Sequence, residues 1–348
     1  MSIFFEQATR TFMTPSIAVI IPNRNDAKYL GKCLDSVLNQ EVGPDQIIVV
    51  DDQSTDDSLE VIGRRLANIS CAGIVANPAC LGTMGALNQG LKLASCDYVL
   101  FLSSNDYVES GIFGRAKSCI AAAGSPSVWS ALVWEVDERG QRLGLYPSPV
   151  VALVDTFFSP EQCIGLANTL GHWFTGTTLI YHRETLLQIG GFDTAYQGMA
   201  DMLAALTVAS LKGAAFSPFP FGVMRRHDDG LMLRTLLNLP GLDAILTRMQ
   251  DCGKKLSPAL FTSEFCDLMN RRIRFTAIRA SQNHVWLQHA ESWRGWRYRV
   301  LCAVSPWLGK SRVLQLAGAF VLLRPLFDPI AIVWYRFLGR SLVLRKMR

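Results

Sequence analysis

The chain has 348 residues, enough for one large domain or a domain with an appendage. Its nine cysteines form no CxxC pair and no closely spaced framework, which excludes a disulfide-stapled secreted scaffold and fits free thiols in a reducing cytosol. The formal charge of +5 hides an asymmetry: residues 1–270 hold 19 Lys+Arg against 27 Asp+Glu, and residues 271–348 hold 15 against 2.

Residues 1–14 read as an extension whose apolar run of three residues is too short for a secretory segment. Ser16 to Pro22 (SIAVIIP) is apolar on both faces, as expected of a strand covered on both sides. Asp26 to Asn39 carries apolar residues at 30, 34, 37 and 38, a helical stripe that Asn25 or Asp26 would cap. Gln46 to Asp51 (QIIVVD) is a second strand. Ser54 or Thr55 would cap a helix running to about Leu66, with Asp56 and Asp57 in its first turn. Ala72 to Ala76 is a third strand, Gly82 to Ala94 a third helix and Tyr98 to Leu102 a fourth strand, with a further helix near Ser110 to Ala122. Strand-helix alternation with short loops predicts an α/β fold with a mostly parallel sheet flanked by helices.

Ligands of such sheets bind outside the carboxyl ends of the strands. Neither GxGxxG nor GxxxxGK[ST] follows the first strand, so dinucleotide and P-loop binding are not expected, and a nucleotidyltransferase fits poorly. Instead every strand of this half ends in polar residues: Asn23-Arg24-Asn25, Asp51-Asp52, Asn77, and Ser103-Ser104-Asn105-Asp106. Converging polar ends make a nucleotide pocket; as single residues, Asn25, Asp51 and Asp52 read equally as helix caps, and Asp106 as the cap of the helix near Ser110.

Three blocks in order, Pro15 to Gln40, Ile47 to Ser58 (IIVVDDQSTDDS) and Asn77 to Val108, resemble the family 2 glycosyltransferases of GT-A fold. The resemblance implies residues 15–110 as the nucleotide-sugar half and 111–230 as the acceptor-binding, catalytic half. It implies an inverting transfer from a UDP- or dTDP-linked sugar to a hydroxyl of an envelope or lipid-linked glycan. Pro22, Asn23 and Asn25 would line the nucleoside, with Asp51 or Asp52 accepting hydrogen bonds from base or ribose. Asn88 and the Ser104-Asn105-Asp106 loop would also bind the donor. Where the family often carries an arginine, this chain has Leu87. Where the family reads an aspartate-rich D-x-D, it reads Ser-Ser-Asn-Asp, leaving Asp106 as the strong ligand for Mg²⁺ or Mn²⁺, aided by His227. Gly190-Gly191-Phe192-Asp193 followed by Met199-Ala200-Asp201 resembles the family's catalytic segment, which makes Asp201 the general base at the head of a helix from Met202 to Leu211. The guanidiniums beside His227, at Arg225 and Arg226, would stabilise the leaving diphosphate. Trp173, before an expected strand from Thr177 to Tyr181, reads as acceptor platform or as core.

Residues 231–348 read as a basic helical region. Trp286, Trp293, Trp296, Trp307 and Trp334 lie among arginines and apolar runs too short to span a bilayer, a composition suited to an anionic membrane surface and not to nucleic acid. The expected place is peripheral, at the cytoplasmic membrane face. Because the D-x-D position is eroded, a non-catalytic nucleotide- or glycan-binding protein of a glycan assembly complex stands as the alternative.

Overall fold

A computed structural model describes residues 14–227 and 230–280. Strand β1 (Ile17–Asn23) is buried on both faces, and its alternation sorts the core. Ile17, Val19 and Ile21 point to one apolar layer, Ala18 and Ile20 to the other. Helix α1 (Ala27–Leu38) adds Leu30, Cys33, Leu34 and Val37 to the first layer, the spacing that puts four residues on one helical face. β2 (Gln46–Asp51), α2 (Ser58–Leu66), β3 (Ala72–Ala76), α3 (Gly82–Leu93) and β4 (Tyr98–Phe101) follow. α3 lies close on the sheet because Gly90 meets Ile20, whose side chain occupies the place of a Cβ. Each fully buried aliphatic side chain here contributes about 1.5–3 kcal/mol.

The second half comprises β5 (Tyr107–Val108), α4 (Ile112–Ala122), β6 (Val128–Val136), β7 (Arg142–Leu145), β8 (Thr156–Phe158) and α5 (Pro160–Leu170). A 3-10 turn at Gly176–Thr178 leads to β9 (Ile180–His182) and α6 (Arg183–Gln188), and a second at Thr194–Met199 leads to α7 (Ala200–Lys212) and β10 (Ala214–Arg225). Helices α8 (Leu231–Leu237), α9 (Leu239–Leu256) and α10 (Ser263–Ala280) close the described chain.

Among the described residues the sheet has ten strands, its main path running β3-β2-β1-β4-β9-β6-β10-β5. β3, β2, β1 and β4 are parallel, and β10 is parallel to β6; β9 enters antiparallel to both β4 and β6. The sheet is therefore mixed, with helices on both faces.

Several local expectations need correction. Asp26 makes no side-chain cap bond to α1, and α2 begins at Ser58, so Asp56 and Asp57 precede its first turn and Ser54 does not cap it; the Ser54 hydroxyl accepts instead from the Asn25 amide at 3.0 Å and from Asn23 Nδ2 at 3.1 Å. The run expected as one strand from Thr177 is a 3-10 turn and then a strand. Trp173 is 2 % exposed, so it is core.

The described part of the C-terminal region, α8–α10, shares the apolar layer of α5 and α7 through Leu236, Leu242, Phe261, Phe265 and Met269. The eight described cysteines are free, and among the described residues no helix is long and apolar enough to cross a membrane. The tryptophan-bearing tail and Asp228-Asp229 lie outside the described residues.

Candidate functional site

Register brings the first polar ends together. Asn23 pairs with Asp51 across β1 and β2, and Asn23 Nδ2 donates to Asp51 Oδ1 at 2.7 Å, leaving Asn23 Oδ1 buried without a partner. Asp51 Oδ2 accepts from the Ser54 amide at 3.0 Å. Asn25 sits at φ 56°, a left-handed conformation that asparagine tolerates, and its Oδ1 accepts from the Thr55 amide at 2.7 Å. Pro22, next to Asn23, is half-buried.

Asp52 anchors the neighbouring loop. Its Oδ1 accepts from Asn77 Nδ2 at 3.0 Å and the Leu81 amide at 2.8 Å; its Oδ2 accepts from the Gly82 amide at 2.8 Å and Cys80 Sγ at 3.2 Å. Burial alone would raise its carboxyl, but these donors outweigh that and hold it below the ordinary range. Asp52 thus caps α3, a helix remote in sequence. Asn88, on α3, accepts from the Phe192 amide at 2.8 Å and donates to the Phe192 carbonyl at 2.7 Å, so its amide ties α3 to the loop before α7.

The fourth strand end forms a second corner. The Asp106 amide donates to the Ser103 carbonyl at 3.0 Å, turning the chain back into β5. Asp106 Oδ1 accepts from the Arg225 amide at 2.8 Å and Oδ2 from Thr177 Oγ1 at 3.1 Å. Asp106 therefore does not cap α4; it rivets β4's end to the end of β10. Burial pushes its carboxyl up to about 7, against the two donors and the Arg225 charge. Ser104 Oγ donates to Asp26 Oδ2 at 2.6 Å, and Arg225 Nε to the Asn105 carbonyl at 3.2 Å. His227 rests edge-on against Tyr29, centroids 5.6 Å apart, with Nε2 buried and without a partner. Arg225 stacks over the same Tyr29 ring at 4.5 Å.

Asp201 lies in the first turn of α7, half-buried, with Oδ1 accepting from the Met202 amide at 2.7 Å. Burial raises its carboxyl above the ordinary range, with that amide opposing. Its Oδ2 faces Gly176, where an added Cβ would come within 2.8 Å. The preceding turn is strained: Gln197 sits at φ 49°, ψ −125°. Gly198 is held by Thr235 of α8, whose Oγ1 accepts its amide at 3.0 Å.

Residues 18–115 match the sequence profile of Glycosyl transferase family 2. Over these residues the chain is similar to the family 2 glycosyltransferases. Its relatives include a poly(ribitol-phosphate) beta-glucosyltransferase of Bacillus spizizenii, 34 % identical over 27 % of this chain and 15 % of that one. A PGL/p-HBAD biosynthesis glycosyltransferase of Mycobacterium bovis is 34 % identical over 26 % of this chain and 36 % of that one. The chain thus spans little more than a third of these relatives' length at most. S. aureus TarS 1–349, solved with UDP-GlcNAc, superposes with a TM-score of 0.51 at 17 % identity, covering 88 % of this chain and 91 % of that one. The mannosyltransferase PcManGT of Pyrobaculum calidifontis, solved with GDP-Man and Mn²⁺, gives 0.54 at 18 % identity, covering 97 % and 89 %. The fold is GT-A.

Two clusters gather most of the expected site residues, while Asn88 and Asp201 belong to neither. One joins Asn23, Asn25, Asp51 and, through Asn77, Asp52; the other joins Ser104, Asn105 and Asp106 to Asp26, Arg225 and Thr177. Among the described residues no group of three or more His, Cys, Asp or Glu gathers as a metal centre. His227 is near this corner through Tyr29, but it is Arg225 that bonds Asp106. Sequence reading singled out Gly176 with Trp173 in the GHWFTGTT stretch but missed Thr177, the partner of Asp106.

Proposed function

We propose that this chain transfers a sugar, with inversion, from a UDP- or dTDP-linked donor to a hydroxyl of an envelope or lipid-linked glycan. One observation carries the reading: Asp201, a buried-side carboxylate with a raised affinity for protons, abuts Gly176, and the next residue, Thr177, holds the donor-side Asp106. Asp201 takes the proton of the acceptor hydroxyl as that oxygen bonds to the anomeric carbon. The bond from that carbon to the diphosphate breaks on the opposite face, and the nucleoside diphosphate leaves. Pro22, Asn23, Asn25 and Asp51 line the nucleoside end; Ser104 and Asn105 meet the diphosphate. A panel of nucleotide sugars, assayed for donor consumption and product anomer, tests the reading. Retention of configuration removes the mechanism, and donor binding without turnover removes the activity.

That second outcome is a reading of its own, a binding protein without turnover. It draws support from the commitment of Asp52 and Asp106 oxygens to internal donors. The basic, tryptophan-bearing tail supports a place at an anionic membrane surface, beside a lipid-linked acceptor. Removal of residues 305–348 is expected to release the protein from sedimented membranes; unchanged fractionation would remove the membrane proposal.

A further inference from the structure

We infer that the corner around Asp106 receives the donor's diphosphate without a divalent cation, the charge being met by the fixed guanidinium of Arg225. The inference rests on the donor site proposed above. Mg²⁺ and Mn²⁺ take hard oxygen ligands, and a nucleotide site commonly gives them one or two carboxylates besides the substrate phosphates. Here the loop supplies a single carboxylate, and both of its oxygens already hold a donor hydrogen, from the Arg225 amide at 2.8 Å and from Thr177 Oγ1 at 3.1 Å. The nearby Asp26 takes the Ser104 hydroxyl at 2.6 Å. Asn105, the third polar residue of the loop, has no charge to offer, and its backbone carbonyl accepts from Arg225 Nε. A divalent ion would have to compete with these donors for Asp106, and the one other carboxylate of the corner, Asp26, is engaged through Oδ2, so the donor set suits such an ion poorly.

A positive charge stands there instead. Arg225 Nη1 donates to the carbonyls of Asp137 at 3.0 Å and Glu138 at 2.8 Å. All three of its side-chain acceptors are neutral carbonyls, so its charge is oriented without a direct ion pair, and the carboxyl it acts on through space is that of Asp106. The residue is 8 % exposed, so solvent screens that charge little. Lys32 Nζ and Arg225 Nη1 both come within 4.0 Å of the place a Cβ on Gly140 would take, so a second cation adjoins the first. A metal ion placed at the Asp106 corner would meet the like charge of Arg225, whereas a diphosphate would meet an oriented guanidinium.

The test is calorimetric titration of the full chain with UDP, GDP and dTDP, once in EDTA and once in Mn²⁺, with electron paramagnetic resonance of Mn²⁺ added to the protein alone. At least one nucleotide is expected to bind in EDTA within about twofold of its affinity in Mn²⁺, with no protein-bound Mn²⁺ signal. Arg225→Gln is expected to weaken that binding in EDTA by about tenfold or more. Should that variant fail to fold, the unmutated protein's comparison still decides. Binding that collapses in EDTA overturns the inference while leaving the donor site standing. Binding of no nucleotide under either condition overturns both.

Discussion

Asp106 and Asp201 are linked through two adjacent residues: Thr177 Oγ1 donates to Asp106 Oδ2 at 3.1 Å, and a Cβ on Gly176 would stand 2.8 Å from Asp201 Oδ2. They are 95 positions apart in sequence and lie on different elements, one after β4 and the other on α7. The Gly176–Thr178 turn therefore sets the distance between the donor corner and the proposed base.

Asp201→Asn keeps the shape and the Met202 contact but removes the base. Transfer is expected to fall about 10²–10⁴-fold, the usual worth of a general base, with nucleotide affinity unchanged. Initial rates and calorimetry on the same preparation check it. Activity within a few-fold of the parent would reassign the base.

The raised Asp201 carboxyl also fixes a pH dependence. Only the ionised form accepts a proton, so the acid limb of kcat is expected above the ordinary carboxylate range of about 4. Its contribution to stability has the opposite sign to its use. The folded state holds this proton more tightly than the unfolded one, so stability is present below the unfolded pKa and is lost as pH rises through the folded value. Asp201→Asn is thus expected to unfold at the same Tm as the parent or a higher one at neutral pH.

Gly176→Ala puts a methyl group against Asp201 Oδ2. The side chain must rotate away, and a misplaced base is expected to cost about tenfold or more in kcat with donor affinity preserved. A circular-dichroism melt separates this from unfolding. Unchanged kcat would show that Asp201 works from another rotamer.

Asp52→Ala leaves the Leu81 and Gly82 amides and the Asn77 side chain without their acceptor. A loss of about 1–3 kcal/mol, seen as a lower urea midpoint, is expected. Because the parent's carboxyl is held below its ordinary value, its contribution is present above the unfolded pKa and lost as pH falls through the folded one. The gap between parent and variant should therefore close in strong acid.

The first half was largely legible because its signals are local. Gln46–Asp51 and Ala72–Ala76 stand as expected from their apolar runs and flanking turns. Hydrogen-bond partners were less so. Ser54 reads as a cap from its neighbours, yet its hydroxyl is claimed by Asn23 and Asn25 about thirty residues earlier. The second half was least legible: β9 enters between β4 and β6, and β10 meets β5 far back in the chain, pairings no periodicity encodes. The same distance hid the Asp106–Arg225 contact, which spans 119 positions. Nor does composition reveal that α8, beyond the resemblance, buttresses Gly198 just before Asp201.

Two of the four donors to Asp52 are main-chain amides, and main-chain amides belong to every residue except proline. Residue 81 could therefore change its side chain, and exposed Pro78 and Ala79 could change theirs, without loosening the loop's attachment to the sheet. The side chains of this stretch can therefore vary while the scaffold beneath stays the same.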